Sequence, residues 1–403
     1  MRSVANVYRE CQEIVSPQAP LDVVLMQAVG CVLAEDVHAP FDLPVADLAA
    51  CDGYAVRHED LATASAEHPA TLRVTAELRA GDIEPMATIA GGAVRIASGA
   101  PVPTGADAVV ALEFTDHGDA TVEVRTSVQA GENIRRRAED AEVGGVVLSR
   151  GSRVGSRQIA LLAGVGRDRV KVHPRPRVVI ISIGDEIVEP GEEARPGAVF
   201  DANGHALTSA ATDAGAQAFR VAAVPDERAT LRQVIEDQLV RADLIVTTGG
   251  ISYGSSDTVR EVLGALGTVR FDQVAAWPGH TLGVGHVGDG TPILCLPGDP
   301  VSAQVCFEVY VRPAIRAMQG WSALNRPTVQ ARVDRGWYSP RGRREFVRVK
   351  LSGDPRSGYR AAVQGRPQAL LLSSFAASNA LAVVPEDVTN VSAGDSLRCM
   401  LLD

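Results

Sequence analysis

Several features are scarce or missing in this 403-residue chain, and each absence excludes a class of protein. Aromatic residues make up only 4% of the sequence, so the hydrophobic cores must rest on Val, Leu, Ile and Ala. The formal net charge is −10. Nucleic-acid and anionic-membrane binding both need a positive field, so neither is expected.

No apolar run approaches the roughly 18 residues that a membrane-spanning helix needs. The N-terminal MRSVANVYRECQEIV is amphipathic and lacks the apolar core of a secretory signal. None of the six cysteines forms a Cys-x-x-Cys pair, a pattern typical of reduced, mostly buried thiols. We therefore expect a cytoplasmic protein with no membrane insertion.

The chain is too long for one ordinary core, so two to four domains are expected. Val4, Val7 and Cys11 fall at helical spacing and predict an opening helix. A second helix is predicted from a cap at Asp22 to Gly30. Short β-branched runs separated by Gly, Pro and Asp turns then predict an all-β region over residues 31–140.

From about Pro174 strands and helices alternate, which predicts a doubly wound α/β domain with a parallel sheet. The run RVVIISIG is continuously apolar, as a buried parallel strand should be. DPVSAQVCFEVYVRPAIRAMQG predicts one long helix. After Gly320 the pattern returns to short strands, which predict a small C-terminal β-domain.

Three polar loops follow predicted strands of the α/β region: SIGDE, VTTGGISYGSSDTV and LPGDP. Ligands of open α/β sheets bind beyond the carboxyl ends of the strands. Gly249 and Gly250 would let backbone N–H groups approach an anion, with serine hydroxyls as further donors. Glu186 and Asp257 could hold Mg²⁺ against a phosphate. From the central loop alone, a simple tight turn is an equally good interpretation.

Three other sequence features give weaker evidence for a functional site. GVGHVG matches a dinucleotide-binding pattern, but HVGDGTP after it predicts a hairpin turn instead. His280 and His286 lack acids or cysteines at metal-ligand spacing, so surface or packing roles are expected. The basic stretch RGRREFVRVK predicts an exposed strand face or an anion contact.

Seven motifs, in order along the whole chain, resemble the molybdopterin molybdenumtransferase family, which includes the C-terminal domain of gephyrin. They are CDGYAVR, SGAPVPTGADAVV, GENIRRRAED, ISIGDEIVEPG, TTGGISYGSSD, LPGDPVSA and GRREF. The resemblance implies a homodimer of four-domain subunits. A discontinuous N-terminal domain would take 1–41 and 142–173, an inserted β-domain 42–141, the α/β molybdopterin-binding domain 174–322, and a C-terminal β-barrel 323–403.

The resemblance also implies a reaction. Molybdate is inserted into adenylylated molybdopterin, supplied by a molybdopterin adenylyltransferase, and AMP is released with Mg²⁺ required. Cleft or catalytic roles are implied for Asp52, Ser98, Asp140, Glu186, Asp226 and Asp257, the first three acting from the partner subunit. Glu186 and Asp257 are also the implied Mg²⁺ ligands. Ligand-binding roles are implied for Gly249, Gly250, Ser252, Ser255, Pro297, Asp299, Pro300 and Ser302. From the residues alone, a turn or helix cap is the favoured interpretation of Asp52 and Asp140.

The chain departs from the family pattern at the implied site. Trp277 and His280 stand where two lysines are expected, and Asp299 replaces the usual Asn. The usual Thr before Gly-Asp-Glu is Ile183, AAC precedes Asp52 in place of Ser-Ala-Met, and QGRPQ replaces Gln-Gly-Ser-Gly. The site is thus about three charges less positive than the pattern, which weakens anion binding. Two functions stay open: a working molybdenum insertase, or a dimeric scaffold that binds peptide segments of protein partners at its dimer groove, as gephyrin does.

Overall fold

The computed structural model describes residues 1–82, 86–193, 195–251 and 258–402. The chain forms two compact units. The larger unit contains residues 1–34, 151–155 and 170–403. The smaller, here called the β unit, contains residues 35–150 and 156–169. The four-domain division stays a prediction.

The β unit is built on one five-stranded sheet. In spatial order its strands are Ala108–Ala111, Gly53–Val56, Gly92–Ile96, Ala70–Leu78 and Thr121–Val124. Short antiparallel pairs join Leu48–Ala49 to Ile134–Arg135 and Val37–His38 to Val146–Leu148. The unit also has an α-helix at Ser156–Gly164 and two short 3₁₀ turns, His58–Leu61 and Leu112–Phe114. The all-β pattern over residues 31–140 is therefore confirmed.

The larger unit opens with the helix Val4–Glu13, whose first turn Ser3 caps by accepting from the Asn6 N–H (3.2 Å). The predicted helix at Asp22 is wrong: strand Leu21–Val24 precedes the short helix Leu25–Ala28. That strand joins a three-stranded sheet with Arg169–His173 and Val32–Leu33. Pairing in this sheet overrides the local capping signal at Asp22.

A six-stranded sheet forms the centre of the larger unit. In spatial order its strands are Gln217–Val224, Arg177–Ile183, Leu244–Thr248, Thr291–Leu296, Thr281–Val287 and Gly267–Gln273. The first four are parallel to one another, and Thr281–Val287 runs antiparallel to both of its neighbours, Thr291–Leu296 and Gly267–Gln273. Thr281–Val287 and Thr291–Leu296 form the predicted hairpin, which places GVGHVG in a strand and its turn. His286 accordingly packs, with Nε2 3.1 Å from the Ile14 carbonyl.

Helices cover both faces of this sheet, as the alternating pattern predicts. Val178 and Ile180 pack with helix Ala202–Asp213 and with a continuous helical segment composed of Pro300–Cys306, a π-helical turn Phe307–Val311, and Arg312–Met318. Val179 and Ile181 point the other way, onto helices Arg228–Leu239 and Thr258–Leu266. Both faces of strand Arg177–Ile183 are buried, which explains its unbroken apolar sequence.

The C-terminal part of the larger unit is a closed five-stranded barrel. Its strands, in order around the barrel, are Arg344–Asp354, Gly358–Val363, Thr328–Val333, Ser396–Leu401 and Ala380–Val384. A short pair, Trp337–Tyr338 with Asn390–Val391, and a helix, Leu372–Ala376, complete it. The expected exposed basic face is wrong for Arg348, which is 1% exposed within strand Arg344–Asp354.

Two small strand pairings lie beside these sheets. Ile187–Val188 pairs with Val199–Phe200, and Ala276–Trp277 adds to the barrel strand at Arg344 and Glu345. Five of the six cysteines are buried, as expected. Within the described ranges, no helix is long and apolar enough to cross a membrane.

Candidate functional site

A cleft of about 710 Å³ lies at the carboxyl ends of the parallel strands in the larger unit. The segments after Ile183, Thr248 and Leu296 all line it, so the structure brings the described parts of the three predicted polar loops together. The start of helix Ala202–Asp213, the segment around Trp277 and the barrel residue Leu370 complete the lining. Pockets of 300–1,000 Å³ are typical of small-molecule sites, so this cleft can hold a nucleotide-sized ligand.

The glycines of the loops let three backbone segments meet. Gly249 and Gly250 have φ of +92° and +69°, a region that favours glycine. A Cβ on Gly249 would lie 2.2 Å from the Ile183 carbonyl oxygen. A Cβ on Gly298 would lie 3.4 Å from the Gly249 Cα. The sequence therefore allows a tight backbone floor that no larger residue permits at position 249.

Asn203 ties two of these loops together. Its Nδ2 donates to the Thr248 Oγ1 (2.9 Å) and to the Gly298 carbonyl (2.8 Å), and the Thr248 hydroxyl donates to the Pro297 carbonyl (2.7 Å). Asn203 is only 8% exposed, and its Oδ1 has no hydrogen-bond partner among the described residues. A buried acceptor without a partner is costly, so this oxygen at the cleft is suited to a ligand donor or a cation.

An ion-pair network fixes the helix that carries Asn203. The Asp201 carboxylate, 2% exposed, accepts from the Gly204 N–H (2.8 Å), the Ser182 hydroxyl (2.7 Å) and Arg220 (2.9 Å). Arg220 also makes a bidentate pair with Glu189 at 2.8 and 2.9 Å. Hydrogen bonds from Arg220 lower the pKa of Glu189. Asn203 and this network were not predicted from the sequence, in which the helix cap in DANG is the only local signal.

Asp299 caps the last helix of the site. Its carboxylate accepts from the Ser302 N–H at 2.8 Å, and Pro300 occupies the first turn. Burial lowers the pKa of Arg348, while the charge of Asp299 acts to raise it, so this buried guanidinium and Asp299 attract one another. A positive group from the barrel thus offsets part of the charge that Asp299 adds to the cleft.

Trp277 and His280 line the cleft together. Their rings are stacked, with centroids 6.2 Å apart and planes inclined by 20°. Trp277 is partly exposed and His280 is exposed. The Trp277 Nε1 is buried and has no hydrogen-bond partner in the part of the chain that the structure describes.

The predicted site residues separate into four groups. Glu186, Gly249, Gly250, Pro297, Asp299, Pro300 and Ser302 line the cleft. Ser252, Ser255 and Asp257 lie outside the described residues. Asp226 is not in the cleft lining; its backbone N–H donates to the Asp185 carboxylate at 3.0 Å.

The remaining three predicted residues belong to the β unit. The Asp52 carboxylate accepts from the Ser98 N–H at 2.7 Å, a bond that crosses 46 positions, so it is not a local turn. The Ser98 hydroxyl donates to the Ala50 carbonyl at 3.4 Å. The backbone N–H of Asp140 donates to the Leu43 carbonyl at 2.9 Å. The structure therefore joins Asp52 and Ser98 directly.

The electrostatic character of the cleft wall is negative. Glu186 and Asp299 contribute carboxylates, the Asp201 carboxylate is already paired with Arg220, and no Lys or Arg is among the described residues that line the cleft. Within those residues, no group of three or more His, Cys, Asp or Glu side chains is placed to hold a metal ion. Glu186 and the Asn203 Oδ1 are oxygen donors of the kind that Mg²⁺ takes, and Mg²⁺ commonly uses one or two protein carboxylates with substrate phosphates.

The fold and cleft define a multidomain protein with a ligand site on a doubly wound α/β sheet, and comparisons with known proteins define its family. Residues 2–166 match the MoeA N-terminal region (domain I and II), 179–317 the probable molybdopterin binding domain, and 330–402 the MoeA C-terminal region (domain IV).

Full-length relatives agree. The chain is 40% identical to molybdopterin molybdenumtransferase 2 of Mycobacterium tuberculosis H37Rv over 404 residues, which cover 99% of both chains. It is 37% identical to molybdopterin molybdenumtransferase 1 of the same strain, with 98% of this chain and 97% of the relative covered. The crystal structure of a molybdopterin biosynthesis MoeA protein from Pyrococcus horikoshii superposes with a TM-score of 0.82 at 30% identity, covering 100% and 99% of the two chains.

The chain belongs to the molybdopterin molybdenumtransferase family, as its seven motifs predicted. The predicted fold class is confirmed, as is the assignment to a family of transferases. Molybdenum cofactor biosynthesis is therefore the process to which the chain belongs.

Proposed function

We propose that the protein inserts molybdate into adenylylated molybdopterin and releases AMP. The observation that carries this proposal is the cleft of about 710 Å³ in which three strand-end loops meet over a glycine floor. Backbone N–H groups of such loops can approach phosphate oxygens closely. A pterin nucleotide has both the phosphates and the size that this cleft accommodates.

Each described residue of the cleft has a proposed task. Gly249 and Gly250 let the phosphate approach the backbone, and Asp299 holds the Pro297–Ser302 turn in place through its cap on the Ser302 N–H. Asn203 keeps the loops after Thr248 and Leu296 in register. Ser252 and Ser255 are proposed as further phosphate donors from sequence alone.

Glu186, with Asp257 and the substrate phosphates, would hold Mg²⁺, and the Asn203 Oδ1 is available as a further oxygen ligand. When bound, the cation neutralises phosphate charge that the acidic cleft wall cannot. Asp226 is proposed to act near this end of the site through its neighbour Asp185.

The assembly is also part of the proposal. We propose a homodimer in which Asp52, Ser98 and Asp140 contribute from the second subunit. The hydrogen bond from the Ser98 N–H to Asp52 fixes the position of this carboxylate, which would face the cleft of the other subunit. A molybdopterin adenylyltransferase would supply the adenylylated substrate.

Single-turnover AMP release tests the reaction. Purified protein is mixed with adenylylated molybdopterin, Mg²⁺ and micromolar molybdate, beside a Trp277→Lys/His280→Lys variant. We expect the native chain to release AMP only when molybdate is present. Absence of AMP release from the native chain, together with activity in the double variant, would contradict the proposal.

The second candidate is a dimeric scaffold that binds peptide segments of protein partners, as gephyrin does. It is favoured by one observation: no Lys or Arg is among the described residues lining the cleft, although the substrate is anionic. A native-host pull-down tests it. A stoichiometric partner retained by a chain that releases no AMP would support the scaffold, and recovery of no partner would count against it.

A further inference from the structure

The stacked rings of Trp277 and His280 occupy the positions where the family pattern has lysines. The chain has only two lysines, Lys171 and Lys350, among its 39 basic residues, so arginine is its usual cation. An arginine at either position would have preserved the charge. The chain instead places two rings there, which changes the kind of interaction that this part of the cleft can make.

Both rings are held by packed backbone. Strand Ala276–Trp277 pairs with Arg344 and Glu345 of the barrel. Gly279, between the rings, has φ +86°, and a Cβ there would lie 2.3 Å from the Cys306 Sγ, so this turn packs directly on helix Pro300–Cys306. The His280 carbonyl accepts from the Val274 N–H at 2.8 Å. The aromatic surface is therefore positioned before any ligand arrives.

The geometry suits a planar ligand. Centroids 6.2 Å apart and planes inclined by 20° correspond to an offset stack of two rings that both line the cleft. A buried indole N–H ordinarily has an acceptor, but the Trp277 Nε1 has none among the described residues. Trp277 and His280 both line the cleft, so their ring faces are the surfaces on which a planar heterocycle can stack.

We propose that Trp277 and His280 form a binding platform for the fused nitrogen heterocycle of the substrate. The purine of the adenylate and the pterin share this chemistry, and the platform selects for a ring where the family pattern selects for negative charge. This inference rests on the proposed function, since it assigns one part of the same cleft. Stacking of a base on an aromatic side chain contributes roughly a 5- to 150-fold change in affinity.

Calorimetric titration of the full chain tests the platform with two probes, adenosine and 6-hydroxymethylpterin, neither of which carries phosphate. We expect the native chain to bind one of them, and that result identifies which ring occupies the platform. Trp277→Leu should weaken this binding at least fivefold. Trp277→Phe keeps a ring but removes the N–H, so its loss should be smaller.

Matched variants complete the design. Trp321→Phe serves as the control, because Trp321 stacks on the Arg316 guanidinium and does not line the cleft. Thermal melts of all variants establish that they fold. Failure of the native chain to bind either probe, or unchanged affinity in Trp277→Leu, would overturn the platform.

AMP release measured on the same samples separates the two proposals. Turnover with unchanged ring affinity in Trp277→Leu refutes the platform and leaves the insertase standing. Ring binding that depends on Trp277, in a chain that never releases AMP, refutes the insertase and leaves the platform standing.

Discussion

At the scale of single residues, the cleft depends on positions where a side chain cannot fit. Gly249 combines a φ of +92° with a virtual Cβ 2.2 Å from the Ile183 carbonyl oxygen. Both strain and collision therefore oppose any larger residue. Gly264, in helix Thr258–Leu266, has nothing within 4 Å of the same virtual atom.

Alanine substitutions at Gly249 and Gly264 therefore form a matched pair of variants. Gly249→Ala should lower the free energy of unfolding by about 1–3 kcal/mol and impair nucleotide binding, because the loop must move. Gly264→Ala should raise it by about 0.5–1 kcal/mol, because alanine is the better helix former. Urea unfolding and AMP titration of both variants check this. Equal stability of the two variants would show that the loop relaxes freely.

Some residue roles were visible in the sequence and others were not. Glu186, Gly249, Gly250 and Asp299 follow buried strands, and the sheet brings strand ends together, so their presence at one cleft could be predicted. Asn203 could not be predicted, because its partners Thr248 and Gly298 lie 45 and 95 positions away.

At the scale of the element, the helix Pro300–Cys306 shows a cap that also sets the charge of the site. Asp299 accepts from the Ser302 N–H at 2.8 Å while it lines the cleft. Asparagine caps helices about as well as aspartate, so the two functions of this side chain can be separated.

Asp299→Asn should change the free energy of unfolding by less than about 0.5 kcal/mol apart from the lost attraction to Arg348. It should tighten AMP binding about fivefold, since one charge at about 4 Å in a water-like dielectric contributes about 1 kcal/mol. Asp299→Ala removes both charge and cap, so it should match the affinity gain but lose about 1 kcal/mol of stability. Calorimetric titration with AMP and urea denaturation of the native chain and both variants measure these changes in affinity and stability. An unchanged AMP affinity in Asp299→Asn would mean that Arg348 already neutralises this carboxylate.

The elements themselves were largely predictable where their periodicity was strong. The apolar run at Arg177–Ile183 and the alternating helices were correct. The strand Gly267–Gln273, which pairs antiparallel with Thr281–Val287 at the edge of the sheet, was not anticipated. It has only seven residues, and pairing with Thr281–Val287 fixes it as a strand.

At the scale of the whole molecule, the two units differ in how they respond to acid. In the β unit, hydrogen bonds from backbone N–H groups lower the pKa of three carboxyls. The N–H of Val143 donates to Asp42, that of Arg137 to Asp47 and that of Glu123 to Asp116. The larger unit has Glu189 and Asp354 with lowered pKa, while burial raises that of Glu345, which has the opposite effect.

A carboxyl whose pKa falls on folding stabilises the folded state above its unfolded pKa and loses this contribution as pH falls. For aspartate that loss begins below about pH 4. We therefore expect the amides of the β unit to lose protection from hydrogen exchange before those of the larger unit as the pH falls. Hydrogen exchange resolved by peptide, between pH 5 and pH 3, measures this order. Earlier loss in the larger unit would contradict it.

The absence of Lys and Arg from the described cleft lining also affects how a ligand arrives. A cleft lined by cations draws an anionic ligand from a distance and speeds encounter, an advantage that added salt removes. Here the wall offers no such attraction, so capture depends on short-range contact after unassisted diffusion. We therefore expect the opposite dependence on ionic strength from that of a cationic cleft. In the absence of divalent cations, added salt screens the repulsion between the cleft carboxylates and the anionic ligand, so the association rate should rise.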